Sequence, residues 1–180
     1  PMAQEGYPAN PRRWLAFKQI EESAVAHAGK LVFVSPSALD LYRDRYPQLP
    51  ASRFSLIENG FDEQSFEDLE TGAVPVPTGT PVLLHSGIVY PTERDPRALF
   101  EALGQLSSAG AIKPGDFVIR FRAAVHDKLL RELALRNDVE AFIDIQPGIP
   151  YRDALREMVG ADALLLMQGA NCNGQIPAKV

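Results

Sequence analysis

Apolar positions along the chain fall into two regimes, and the second is the more regular. From residue 81 onward, Pro81 to Ser86, Phe117 to Phe121, Ala141 to Ile145 and Ala163 to Met167 read as short buried strands. Between them, Pro96 to Leu106, Asp127 to Leu135 and Tyr151 to Met158 have helical period. Strands alternating with helices of about ten residues make βαβ units, which predict right-handed crossovers and a parallel sheet covered on both faces. The expected fold class is therefore α/β, a doubly wound parallel sheet.

The first regime is looser. Asn10 is placed to cap a helix starting at Pro11, in which Trp14, Phe17, Ala24 and Ala28 recur at helical spacing beside Arg13, Lys18, Glu21 and Glu22. That pattern predicts an amphipathic surface helix. A β-rich run, Leu31 to Val34, follows Gly29; Ser35-Pro36-Ser37 then signals a second helix, which Pro47 and Pro50 stop. The next apolar piece, Phe54 to Ile57, runs into Glu58-Asn59-Gly60, whose Asn-Gly step favours positive φ and a tight turn. Residues 67–80, acidic and then rich in Pro and Gly, read as a linker. This part offers one clear strand with no sheet to join, and Pro177-Ala178-Lys179-Val180 reads as the opening of a helix. Both point to a truncated piece of something larger.

Composition narrows the class. With 180 residues, 18 basic against 23 acidic side chains, a net charge of −5 and 46% hydrophobic residues, the chain suits an ordinary globular protein of one domain or slightly more. The acidic balance argues against a nucleic-acid partner held mainly by counterion release. The longest apolar runs, LVFV and ALLLM, fall far short of the roughly 20 residues that cross a bilayer, so no transmembrane segment is expected in this chain. The single Cys172, the lack of an N-x-[ST] acceptor and the polar start PMAQEGYPANPRRW indicate a reducing, cytoplasmic setting.

Several chemistries lack their signatures. His85-Ser86-Gly87-Ile88-Val89-Tyr90 does not supply the G-x-G-x-x-G of a dinucleotide site, Gly29-Lys30 is followed by Leu31 and so makes no P-loop, and no G-x-S-x-G elbow occurs. His27, His85 and His126 lie far apart without ligand spacing, so no metal is expected, and Cys172 has no His and Asp partners near it in sequence.

In an open parallel sheet ligands bind beyond the carboxyl ends of the strands, which directs attention to residues 86–95, 122–126, 146–150 and 168–176. In the first loop Gly87 lets backbone approach a ligand and Arg94 offers a bidentate fork, a combination suited to a diphosphate. The same residues also suit a plain turn and a surface pair of Arg94 with Glu93 or Asp95. In the last loop the amides near Asn173, Gly174 and Gln175, with Lys179 at the following helix start, suit an anion; a plain polar loop is the other reading.

The order of these pieces resembles the two-Rossmann-domain (GT-B) glycosyltransferases, specifically the large retaining family called family four or group 1. Ala28-Gly29-Lys30-Leu31-Val32-Phe33-Val34-Ser35 is similar to its "aD.vi.vS", and Ile57-Glu58-Asn59-Gly60-Phe61-Asp62, with Phe66 after it, to "ipNGvD". Val82-Leu83-Leu84-His85-Ser86-Gly87 looks like the first donor-domain strand. Ile149-Pro150-Tyr151 through Ala161-Asp162-Ala163-Leu164-Leu165-Leu166 looks like "v.y.e.l..l..aDvll", and Ile176-Pro177-Ala178-Lys179-Val180 like "iP.K..EYl".

The resemblance implies a Rossmann-like, GT-B type fold in which residues 1–66 end an acceptor-side domain and the interdomain crossover, while 81–180 are most of a nucleotide-sugar-binding domain, incomplete at its C-terminus. It implies a parent enzyme that moves a sugar from a nucleotide-diphosphate donor to an acceptor hydroxyl with retention, without a cofactor and usually without metal, the piece alone being inactive. The acceptor could be a saccharide, a lipid-linked group or a small molecule, and a parent peripheral to the inner membrane face is compatible with it. Arg94 and Lys179 are then the cations that stabilise the leaving diphosphate. Gly87, Asn173, Gly174 and Gln175 join the donor site, and Gln146-Pro147-Gly148-Ile149-Pro150 resembles the base-contacting segment, with Gln146, Pro147 and Ile149 as contacts. Two features depart from the family: Ile88 stands where an Arg commonly follows the glycine, and the first acid of the E-x7-E pair falls near Gly174, the second beyond Val180. A reading of a different class is a non-catalytic Rossmann-like module that binds a nucleotide or a protein at the same crevice.

Overall fold

The computed structural model describes residues 10–67, 69, 79–172, 174 and 176. They form two compact units: one holds the residues up to Phe61 together with those from Gly169 onward, and the other runs from Asp62 to Gln168.

The first unit begins with helix α1, Pro11–His27. Asn10 caps it, its side chain accepting from the backbone N–H groups of Arg12 (3.1 Å) and Arg13 (3.3 Å). The helix does not bury the stripe its apolar residues suggested. Val25 is its buried residue, Trp14, Glu21 and Ala28 are half-buried, and Phe17 is exposed. Positions 14, 21, 25 and 28 still lie on one helical face, but the charge in that face is there because helix α2, Pro36–Arg45, answers it. Glu21 accepts from Arg45 through both oxygens (2.7 and 2.8 Å) and from the hydroxyls of Tyr42 and Tyr46 (2.9 Å each). Burial pushes the Glu21 carboxyl up, yet these bonds outweigh it and hold it below the usual carboxylate range. At the other end of α1, Arg53 donates to the carbonyls of Val25 (2.7 Å) and Ala28, satisfying C-terminal groups that have no partner within the helix.

Strand β1, Leu31–Phe33, is not alone. It pairs in parallel with β2, Phe54–Leu56, in the register Leu31 to Phe54 and Phe33 to Leu56, which corrects the expectation of a strand without a sheet. The Asn59-Gly60 step is also corrected: neither residue has positive φ, and the segment is an irregular connector rather than a tight turn. Ser35 caps α2 by accepting from the Ala38 N–H (3.3 Å), and its hydroxyl donates to the Gly174 carbonyl (3.1 Å).

The second unit opens with a short helix α3, Gln64–Glu67, followed by β3 (Val82–Ser86), α4 (Arg97–Ser108), β4 (Val118–Arg122), α5 (Asp127–Arg136), β5 (Ile143–Gln146), α6 (Tyr151–Gly160) and β6 (Ala163–Leu164). The four strands form one parallel sheet in the order β5-β4-β3-β6. This is the mixed α/β, Rossmann-like arrangement that the strand and helix pattern predicted. The core lies on one face, where Ile119 and Phe121 of β4 pack with Phe100 and Leu103 of α4 and with Leu130, Leu133 and Ala134 of α5. Chain direction explains the layering. Two crossovers step the chain from β3 to β4 to β5, and the third returns past them to β6 on the far side of β3. With right-handed connections that reversal puts α6 on the opposite face from α4 and α5. The starts of β3 and β6 are tied by Asp162, which accepts from the Val82 N–H (2.8 Å).

Candidate functional site

Strand order locates the candidate site. The sheet reverses between β3 and β6, a topological switch point, and in open α/β sheets the crevice outside the strand ends at such a point is where ligands bind. The loop that leaves β3 there carries Gly87 and Arg94. Gly87 has φ +118°, a region closed to side-chain-bearing residues, and its N–H donates to the Arg122 carbonyl (2.8 Å). The glycine is thus required by the backbone, and it leaves the strand end without a side chain.

Arg94 is half-buried. It donates to the Ile88 carbonyl (3.0 Å) and its guanidinium lies 5.3 Å from the Tyr90 ring centroid. Neither Glu93 nor Asp95 pairs with it; Asp95 instead holds Arg97 through its side chain (2.9 Å) and backbone N–H (3.0 Å). Among the described residues Arg94 has no carboxylate partner, so its charge stands uncompensated beside the switch-point loop.

The loops after β4 and β5 are bound into the same edge. The Val89 N–H donates to Ala124 (3.1 Å) and the Ala123 N–H to Gln146 (3.0 Å). Ala123 and Val125 are left-handed at φ +56° and +68°, and for the β-branched Val125 that is a strained conformation held by its surroundings. Gln146 ends β5, Pro147 is exposed and Ile149 half-buried in the short link to α6. His85 lies buried within this edge, its Nδ1–H donating to the Leu165 carbonyl (3.0 Å).

A cluster that sequence reasoning missed lies behind these loops. Arg122 directs Nε and Nη2 to the two carboxylate oxygens of Glu157 on α6 (2.7 and 2.6 Å) and Nη1 to the Pro147 carbonyl (2.8 Å). Arg120 donates to Glu157 (3.1 Å) and Asp144 (2.7 Å), and Asp144 accepts from the Gln146 side chain (2.5 Å). The bonds close a ring that starts at the Gln146 side chain and ends at the carbonyl of the next residue. Burial raises the Glu157 carboxyl, but the two guanidinium groups more than offset this and hold it below the usual range. The signal in the sequence is Val118-Ile119-Arg120-Phe121-Arg122: two arginines two residues apart on one face of a buried strand require buried counter-charges.

Gly174 belongs to the first unit, bonded to Ser35, while Asn173, Gln175 and Lys179 lie outside the described residues. Cys172 is buried in the first unit. Among the described residues no group of His, Cys, Asp and Glu side chains is arranged to hold a metal ion, and no helix is long and apolar enough to cross a membrane.

No family profile matches the chain, and no curated protein matches its sequence. Among solved structures, a glycosyltransferase from Rickettsia africae ESF-5 aligns with 88% of this chain over 42% of its own length, at 18% identity and a TM-score of 0.57. The likeness is one of fold. The chain therefore covers less than half the length of that protein and shares its Rossmann-like α/β fold over the aligned residues.

Proposed function

We propose that the chain is part of a retaining glycosyltransferase of the GT-B type, akin to the group 1 family, and that its second unit holds a nucleotide-diphosphate-sugar donor at the β3–β6 switch point. The observation that supports this reading is the position of Gly87 and the uncompensated Arg94 on the loop leaving β3 at that point, in a fold shared with a glycosyltransferase. In this reading the diphosphate approaches backbone at Gly87, and Arg94 neutralises the charge that develops on the leaving diphosphate as its bond to the anomeric carbon breaks. The acceptor oxygen forms the new bond to that carbon on the face the diphosphate leaves, and its proton passes to an oxygen of the departing diphosphate. The nucleobase lies on the link from Gln146 to Pro150, of which Pro147, Gly148 and Pro150 are exposed. The reaction belongs on the cytoplasmic side, with a saccharide, lipid-linked or small-molecule acceptor.

The test uses the full-length protein. Thermal shift against uridine, guanosine and adenosine diphosphates and their sugars is expected to show stabilisation by one base series. Release of that nucleoside diphosphate in the presence of a panel of acceptors is expected next, with NMR of the product showing the donor's anomeric configuration. Binding without release points to a non-catalytic nucleotide-binding module, and a protein that no nucleotide stabilises refutes the donor-site reading.

A further inference from the structure

The geometry points to Arg122 as a positioning residue that sets recognition of the nucleoside, as distinct from the diphosphate, by holding the link Pro147–Pro150 in place. This rests on the donor-site reading above. Arg122 is the joint between two strand-end loops: its backbone carbonyl accepts from Gly87 (2.8 Å), and its side chain donates to the Pro147 carbonyl (2.8 Å). Its other two nitrogens are fixed on Glu157, which is 4% exposed. A guanidinium held by a buried bidentate fork has no rotational freedom, so the bond to Pro147 has a fixed direction. The preceding residue, Gln146, is tied from the other side through Asp144 and Arg120 to the same Glu157. Pro147 and Gly148 are exposed, and a Cβ added at Gly148 would make only an ordinary 3.7 Å contact with the Ala123 side chain, so the side-chain bond that reaches this end of the link comes from the ring beneath. A binding loop held within a few tenths of an ångström by such support loses selectivity when the support is loosened.

Arg122→Lys keeps the charge beside Glu157 but has no fork, so one ammonium serves either the carboxylate or Pro147 poorly. In the full-length protein, calorimetric titrations with the three nucleoside diphosphates and with inorganic pyrophosphate separate the two parts of the ligand. The wild type is expected to prefer one nucleoside diphosphate over pyrophosphate. Arg122→Lys is expected to narrow that preference about tenfold, leave pyrophosphate affinity within about twofold, and speed amide exchange in peptides spanning 147–152. Glu157→Asp withdraws the carboxylate by one methylene with its charge intact and is expected to move the same readouts; it decides the matter if the Lys variant does not fold. An undiminished preference refutes the assignment whether or not exchange speeds up. An equal loss for pyrophosphate and nucleoside diphosphate also refutes it, because that is what a general weakening of the fold produces. A wild type that binds pyrophosphate but prefers no nucleoside overturns this inference alone, and one that binds neither overturns the donor-site reading with it.

Discussion

Glu157→Gln isolates the charge of one buried carboxylate while keeping its shape. Glu157 is 4% exposed and receives three N–H bonds of 2.6 to 3.1 Å from Arg122 and Arg120. Removing its charge leaves Arg120, its side chain 13% exposed, paired with Asp144, and Arg122, its side chain 11% exposed, with the neutral Pro147 carbonyl as its remaining side-chain partner among the described residues. Breaking a buried pair from one side typically costs about 3–5 kcal/mol, because the partner charge stays desolvated. Taking about 3 kcal/mol, and roughly 4–8 °C per kcal/mol for a unit of about a hundred residues, the melting transition should fall by roughly 12–24 °C. The pair Lys128–Glu132, at 3.8 Å with side chains 91% and 58% exposed, supplies the control: Glu132→Gln should change stability little. The pH dependence has a defined sign. The folded carboxyl of Glu157 titrates below its ordinary 4.5, so its contribution is complete above that value and is lost as pH falls through the folded pKa. The gap between wild type and Glu157→Gln, measured by urea unfolding, should therefore be widest near neutrality and close as the pH is lowered below 4.5. A gap under about 1 kcal/mol, as for an exposed pair, or one that does not change with pH, would refute the account.

Arg94→Ala should weaken nucleoside-diphosphate binding by roughly ten- to a hundredfold, with Arg94→Lys recovering part of it; equal calorimetric affinities would remove Arg94 from the site. Gly104→Ala should destabilise the protein by roughly 1–3 kcal/mol, because an added Cβ would lie 2.9 Å from the Asn137 carbonyl oxygen, whereas Gly148→Ala, with 3.7 Å to its nearest neighbour, should be tolerated; urea midpoints compare the two. Tyr46, whose hydroxyl is pushed up to about 12 by burial and by its bond to Glu21, should titrate nearer its ordinary 10.0 in Glu21→Gln, as read from tyrosinate absorbance. An unchanged Tyr46 titration would show that burial alone raises it.

The parallel sheet was legible because its signals are local and repeated. Val82 to Ser86 and Val118 to Arg122 are short runs bounded by turn residues, and α4, α5 and α6 each show one apolar stripe between them. The strand order was not legible in the same way, because right-handed crossovers fix the hand of each connection and not that β6 returns to pair with β3. The first unit was less legible because its decisive contacts are polar and distant in sequence. Nothing near Leu31 shows that Phe54 is its partner, 23 positions on, and nothing near Glu21 shows that Arg45, Tyr42 and Tyr46 converge on it. An apolar stripe is a sound guide to a buried helix face only where the neighbouring element is apolar as well.

The site divides along the same line. Gly87 could be picked out because a glycine at a strand end is a backbone requirement, visible in one residue. Arg94 could be picked out, but not its freedom from Glu93 and Asp95, which depends on Asp95 turning instead to accept from the Arg97 N–H and pair with the Arg97 guanidinium. The ring behind the loops needed three elements at once: β4 for the arginines, β5 for Asp144 and Gln146, and α6 for Glu157. Two arginines in a strand that should be wholly apolar carry a desolvation penalty of several kcal/mol each unless anions meet them. Well-packed apolar residues would have filled the same space with comparable stability, so burial alone does not explain the ring. What the ring supplies that apolar packing does not is direction: a fork on Glu157 leaves one N–H aimed at one carbonyl, that of Pro147, and so connects the layer behind the sheet to the loop expected to meet the ligand.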